Sequence, residues 1–224
     1  MKYVSNVLSL SRKYLLKPYS LDDVCYSLYS AFKDKATSIA YEKPNCSHMF
    51  IVGSNYEVRV FIGSLREVQL NLLVDVGGAI SSKIVAFAQS MFYNLDRILS
   101  KFCEAESDIH ILFRSTFRCE RTAIDDIEKK LSYLGVAVFS RELHTVSDIM
   151  LSVIRGRFVG RNLKRYDITV TFIENEGAEL SVSVETDANI KKPLEQIIEV
   201  QDILFSLIET FITNNNHKAS TKYK

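Results

Sequence analysis

Apolar and polar residues alternate strictly in four stretches of this chain. Tyr56, Val58, Val60 and Ile62 share one parity, with Glu57 and Arg59 on the other. Val68, Leu70, Leu72 and Val74 oppose Gln69, Asn71 and Asp75. Tyr166, Ile168, Val170 and Phe172 oppose Asp167, Thr169 and Thr171, and Leu180, Val182 and Val184 oppose Ser181, Ser183 and Glu185. Period-two patterning predicts strands with one buried and one polar face. Less regular β-rich runs follow at TSIAYEK, SHMFIVG, VAVFSREL and DIMLSVIRGRFV. NVLSLSRKYLL and DIHILFRSTFRC read as two further strands. Turn residues cluster at Gly53–Asn55 and at Glu174–Gly177.

Two short stretches switch to helical spacing. Leu21, Val24 and Leu28 form an i, i+3, i+7 apolar set, and Ile124, Ile127 and Leu131 repeat it 103 positions later. Ser20 and Thr122 are candidate N-caps, each with an Asp three residues on. Asp22–Asp23 and Asp125–Asp126 fall in the first turn, beside the positive end of the helix dipole. The spacing predicts helices over 20–33 and 122–134. Two longer helices are predicted over 79–102 and 188–211, the second with Pro193 near its start.

The order β-α-β-β-β-β-α is therefore written twice. The first repeat spans 1–103 and the second 104–213, and 214–224 is expected to be a disordered polar tail. The predicted class is α+β: an internal duplication of two antiparallel sheets, each with a long helix packed on one face. This element order resembles the β-α-β4-α plan of the TATA-binding-protein-like fold. It also resembles the helix-grip plan of Bet v1/START-like proteins, in which a long C-terminal helix lies across a curved sheet. The helix-grip resemblance implies a cavity between helix and sheet. The TATA-binding resemblance implies a DNA-facing sheet rich in apolar wedges, yet the open face here carries Glu, Arg, Gln, Asn, Ser and Thr.

Composition narrows the class without naming a function. At 224 residues, 47% hydrophobic and 25% charged, the chain can bury a sizeable core. The net charge of +1 supplies no global field for nucleic acid or anionic membrane. Residues 1–103 hold 12 Lys+Arg and 8 Asp+Glu, and the remainder holds 16 and 19. No apolar run reaches the roughly 20 residues of a membrane span. The N-terminus reads as a strand rather than a signal peptide, so a cytoplasmic location is expected. The cysteines, Cys25, Cys46, Cys103 and Cys119, form no CxxC pair and are expected to be buried thiols.

No catalytic motif and no metal-ligand spacing is present, so no catalytic residue, metal or cofactor is assigned. Gly77–Gly78 leads from a strand into a helix but lacks a phosphate-binding pattern. The adjacent aspartates point about 100° apart on a helix and converge poorly on one atom. His48, His110 and His144 lie in or near strands, and His217 in the polar tail. The densest charge feature is RGRFVGRNLKR, expected to protrude as a basic hairpin with Arg155, Arg157, Arg161, Lys164 and Arg165 as partner-binding candidates. Phe87, Met91 and Leu95 on the first long helix are candidates to line a cavity. The expected function is non-enzymatic binding of an apolar small molecule between helix and sheet, or of a protein partner. The alternative is association with nucleic acid through 155–165.

Overall fold

The computed structural model describes residues 2–18, 21–41, 48–63, 66–77, 82–119, 124–146, 149–160, 163–174, 178–188 and 193–219. Strand β1 (Lys2–Leu16) leads into helix α1 (Leu21–Phe32), strands β2 (Ser38–Tyr41), β3 (His48–Val52), β4 (Tyr56–Ile62) and β5 (Glu67–Asp75), and helix α2 (Ser82–Leu99). A three-residue strand, β6 (Cys103–Ala105), follows. The order then recurs as β7 (Ile109–Cys119), α3 (Ile124–Tyr133), β8 (Ala137–Val146), β9 (Ile149–Val159), β10 (Arg165–Glu174), β11 (Ala178–Ala188) and α4 (Pro193–Ala219). The α+β class and the repeated element order hold. The N-cap candidates Ser20 and Thr122, and Cys46 with them, lie outside the described residues. Helix α4 continues to Ala219, into the stretch expected to be disordered. Once a helix exists, each further residue adds one backbone bond at little cost.

Contacts divide the chain into two compact units that cut across the sequence halves. Unit I is Val7–Ile111 with Asp187–Ile197; unit II is Met1–Asn6, Leu112–Thr186 and Ile198–Lys224. In unit I the strand order is β2-β3-β4-β5-β1, with every neighbouring pair antiparallel. In unit II the order is β7-β11-β10-β9-β8, and β11–β10, β10–β9 and β9–β8 are antiparallel.

Each sheet has one apolar face, and the helices cover it. Val68, Leu70, Leu72 and Val74 of β5 are fully buried, as are Ala88, Leu95 and Leu99 of α2. In unit II, Ile168, Val170, Val182 and Val184 are buried, as are Val200, Leu204 and Ile208 of α4. The alternation read from the sequence is thus the burial pattern of β4, β5, β10 and β11. The opposite face is not uniformly polar. Phe50 and Val52 of β3 and Phe61 of β4 stand on it partly exposed, and His48 lies against Phe61 with ring centroids 4.6 Å apart.

Helix α3 ends where Gly135 takes a left-handed conformation, φ 80°. The Val136 N–H then donates to the Leu131 carbonyl at 3.0 Å and the Gly135 N–H to that of Ser132 at 3.0 Å. This double bond closes the last turn and buries Val136. At the β3–β4 turn, Gly53 is required for space: a Cβ there would sit 2.0 Å from the Tyr56 ring.

Cys103 is buried and free, and burial pushes its thiol pKa up to about 11. Cys25 is disulfide-bonded, which corrects the expectation of a free thiol there. Among the described residues no helix is long and apolar enough to cross a membrane.

Replacing Gly135 by Ala should cost about 1 kcal/mol, because only glycine adopts that φ without strain. Thermal unfolding should register this as a Tm about 2–4 °C lower; an unchanged Tm would contradict the role given to the cap.

Candidate functional site

Unit I carries two concave features on different surfaces. The first is a groove of about 370 Å³ between the two helices. Helix α1 and its end contribute Ala31, Phe32 and Lys35. Helix α2 contributes Phe87, Met91 and Ile98, together with Ser90, Asn94 and Arg97. The groove has an apolar floor and two cations, and among the described residues no carboxylate lines it. Neither Lys35 nor Arg97 has an acidic partner among the described residues.

Phe87 and Met91 line this groove, whereas Leu95 is fully buried in the core. The three cavity candidates therefore do not share one lining. Each i+4 step along a helix turns the side chain by about 40°. From Phe87 through Met91 to Leu95 the stripe drifts by about 80°, off the groove and into the sheet-facing core. The expected site between helix and sheet is, for Leu95, close-packed interior.

The second feature is a cleft of about 460 Å³. Ser11, Arg12 and Lys13 of β1 and Gln69 of β5 form one side. Ser107, Asp108, His110 and Asp187 form the other. On the helix side of β1, Arg12 anchors an ionic cluster invisible at the sequence level. Asp96 of α2 accepts from Arg12 Nη1 at 2.7 Å and from the Tyr14 hydroxyl at 2.6 Å. Arg12 Nε also donates to the Ser107 carbonyl at 2.9 Å. The Arg12 and Asp96 side chains are each only 12% exposed, so this pair is largely shielded from solvent screening. Burial, then the bond to Asp96, raises the Tyr14 pKa. At the cleft edge His110 Nδ1 lies 3.1 Å from Asp187.

The basic segment of unit II does not form a free cationic hairpin. Only residues 160–164 link β9 to β10. Arg155 and Arg157 belong to β9, where register sets them opposite Thr169 and Asp167 on the open face. Arg155 pairs with Glu142, and Arg157 Nε donates to Asp167 at 2.6 Å. Arg165 opens β10 and is exposed. Lys164 is half-buried, its ammonium 6.0 Å from the centre of the Tyr166 ring. Arg161 lies outside the described residues. Cross-strand neutralisation at Arg155 and Arg157 removes much of the charge a phosphate backbone would read.

No family model matches the chain, and no curated protein matches it. Among solved structures it is similar to the di-domain ARO/CYC protein BexL from the BE-7585A biosynthetic pathway. That overlay has 10% identity and a TM-score of 0.27, over 87% of this chain and 94% of that one. It is also similar to the di-domain ARO/CYC protein StfQ from the steffimycin biosynthetic pathway, at 8% identity and a TM-score of 0.28, over 95% of this chain and 99% of that one.

Two outcomes are expected of the buried cluster. Asp96→Ala strands the Arg12 charge and should cost about 3–5 kcal/mol in urea unfolding. The double change Arg12→Ser with Asp96→Phe should cost clearly less, because it removes both charges together; equal losses would count against the pairing. The second outcome concerns alkaline pH. The Tyr14 and Tyr166 hydroxyls both have raised folded-state pKa values, through burial first and a carboxylate neighbour second. Their contribution is complete below the unfolded tyrosine value near 10 and is lost as pH rises above it. Stability should fall above about pH 10, and Tyr14→Phe should flatten that fall.

Proposed function

We propose that this chain is a non-enzymatic binding protein that holds a small apolar molecule bearing an anionic group in the α1–α2 groove of unit I. The observation that carries the reading is the pairing of an apolar floor with two cations and, among the described residues, no acid in one concavity. Apolar contact supplies affinity, and a few placed polar groups fix orientation. Lys35 and Arg97 each offer a charge-assisted bond to a carboxylate or phosphate head.

The repeat supports this placement. At the offset that aligns the two long helices, Phe87 corresponds to Gln196 and Arg97 to Ser206. The second copy thus keeps the covering helix without the aromatic and cationic groups of the groove. A binding role also fits the chemistry of the lining. Ser90 is the hydroxyl there, and among the described residues no histidine or carboxylate in the lining stands ready to activate it.

Decanoate, with 1-decanol as its neutral twin, tests the reading by isothermal titration calorimetry. Decanoate should bind more tightly than decanol. Lys35→Ala or Arg97→Ala should weaken decanoate by about tenfold, the scale of one lost charge-assisted bond. Met91→Glu should abolish binding while circular dichroism shows the fold intact. No decanoate binding to the unaltered protein, or binding indifferent to all three changes, would overturn the proposal.

A further inference from the structure

The polar cleft on β1 is separate from the groove and raises its own question. Two opposite charges face it, Lys13 and Asp108, both exposed. They form no ion pair with each other, and among the described residues neither side chain has another charged partner. The remaining acid, Asp187, already engages His110.

The segment that carries Asp108 is fixed to the strand that carries Lys13. The Glu106 N–H donates to the Lys13 carbonyl at 3.0 Å. The Lys13 N–H donates to Ser107 Oγ at 3.1 Å, which in turn donates to the Asp108 carbonyl at 2.9 Å. Arg12 closes the set through the Ser107 carbonyl and Asp96. Two of the Arg12 donors are thereby spent in holding its guanidinium against Asp96 and the Ser107 carbonyl.

This ionic cluster is not a requirement of the fold. Position by position in the repeat, Arg12 corresponds to Ser115, Tyr14 to Phe117 and Asp96 to Phe205. Unit II buries Ser115 and Phe117 at those strand positions and packs its helix without the charges. Buried ion pairs are often no more stabilising than apolar replacements, so stability alone does not account for this one.

We propose that the cleft is a second ligand site, for a small zwitterion of the α-amino-acid type. The carboxylate end lies on Lys13. The ammonium end lies on Asp108, with Asp187 beside it. A simple anion meets the two aspartates, and a simple cation meets Lys13. Like charges a few ångströms apart cost about 1 kcal/mol or more. Only a molecule bearing both charges satisfies both sides.

The test uses the full chain and the common α-amino acids, each at about 10 mM, in a thermal-shift series, where a ligand held well below that concentration raises Tm by several degrees. The best is then compared by calorimetry with its N-acetyl and methyl-ester derivatives, each of which lacks one charge. We expect at least one amino acid to bind and both derivatives to be weaker by about tenfold or more. Lys13→Ala and Asp108→Ala, both surface changes, should each abolish binding, whereas Met91→Glu should not. No stabilisation by any amino acid, equal binding of blocked and free forms, or indifference to Lys13 and Asp108 would overturn the inference. The decanoate experiment stands or falls independently of it.

Discussion

A sheet with one apolar face cannot stand open to water on that face. Most of the architecture follows from this constraint. Strands such as β5 and β10 place every second side chain on one side, and that side must be covered. A helix of 18 residues, as in α2, lies across several strands at once. Its covering stripe is Val85, Ala88, Phe92, Leu95 and Leu99, all nearly without exposure. What remains of the helix surface is then free to vary. The groove with α1 sits on the part of α2 that the covering stripe leaves over, whereas the carboxylate of Asp96 is buried beside the stripe, against Tyr14 of the sheet.

The two copies of the plan differ even at positions buried under the covering helix. At the strand positions of Arg12 and Tyr14, unit II has Ser115 and Phe117. The helix that covers each sheet is kept, and the polar and aromatic additions are not. Ion pairs appear on the open faces too, as Arg157 with Asp167 and Arg59 with Glu57. Those are exposed pairs, screened by solvent and weak. The Arg12–Asp96 pair is different in kind, because burial makes each partner depend on the other.

The fold was largely legible in the sequence because its determinants are local. Alternation in β4, β5, β10 and β11, and the apolar set of α1, each fit within about ten residues. Strand β6 was missed, since three residues carry no period. The groove is half legible: Phe87 and Met91 stand out as large apolar residues on the first long helix. Their separation from Leu95 depends on helical drift, and Lys35 lies more than fifty residues away in the chain. Asp96 read as one more polar residue on a helix, because nothing local says that Arg12 and Tyr14 will meet it. The basic run at 155–165 misled for the same reason. Its partners, Glu142 and Asp167, arrive through strand register, which a charge count does not contain. Phe50 and Phe61 on the open face were hidden within apolar runs, Met49–Val52 and Val60–Ile62.

The path of the chain through its two compact units bears on how the protein is made. A tandem duplication would be expected to mature as two successive beads, the first complete before the second is begun. Here residues 187–197 belong with the unit built from 7–111, and residues 1–6 belong with the one that ends after 198. Neither unit has all its parts until most of the chain has left the ribosome. At about 5–20 residues per second, the earliest strand waits roughly ten to forty seconds for its last partners. Throughout that interval the apolar faces of β4 and β5 are paired with an incomplete fold. A nascent chain of this design depends on protection during synthesis more heavily than its repeated sequence would suggest.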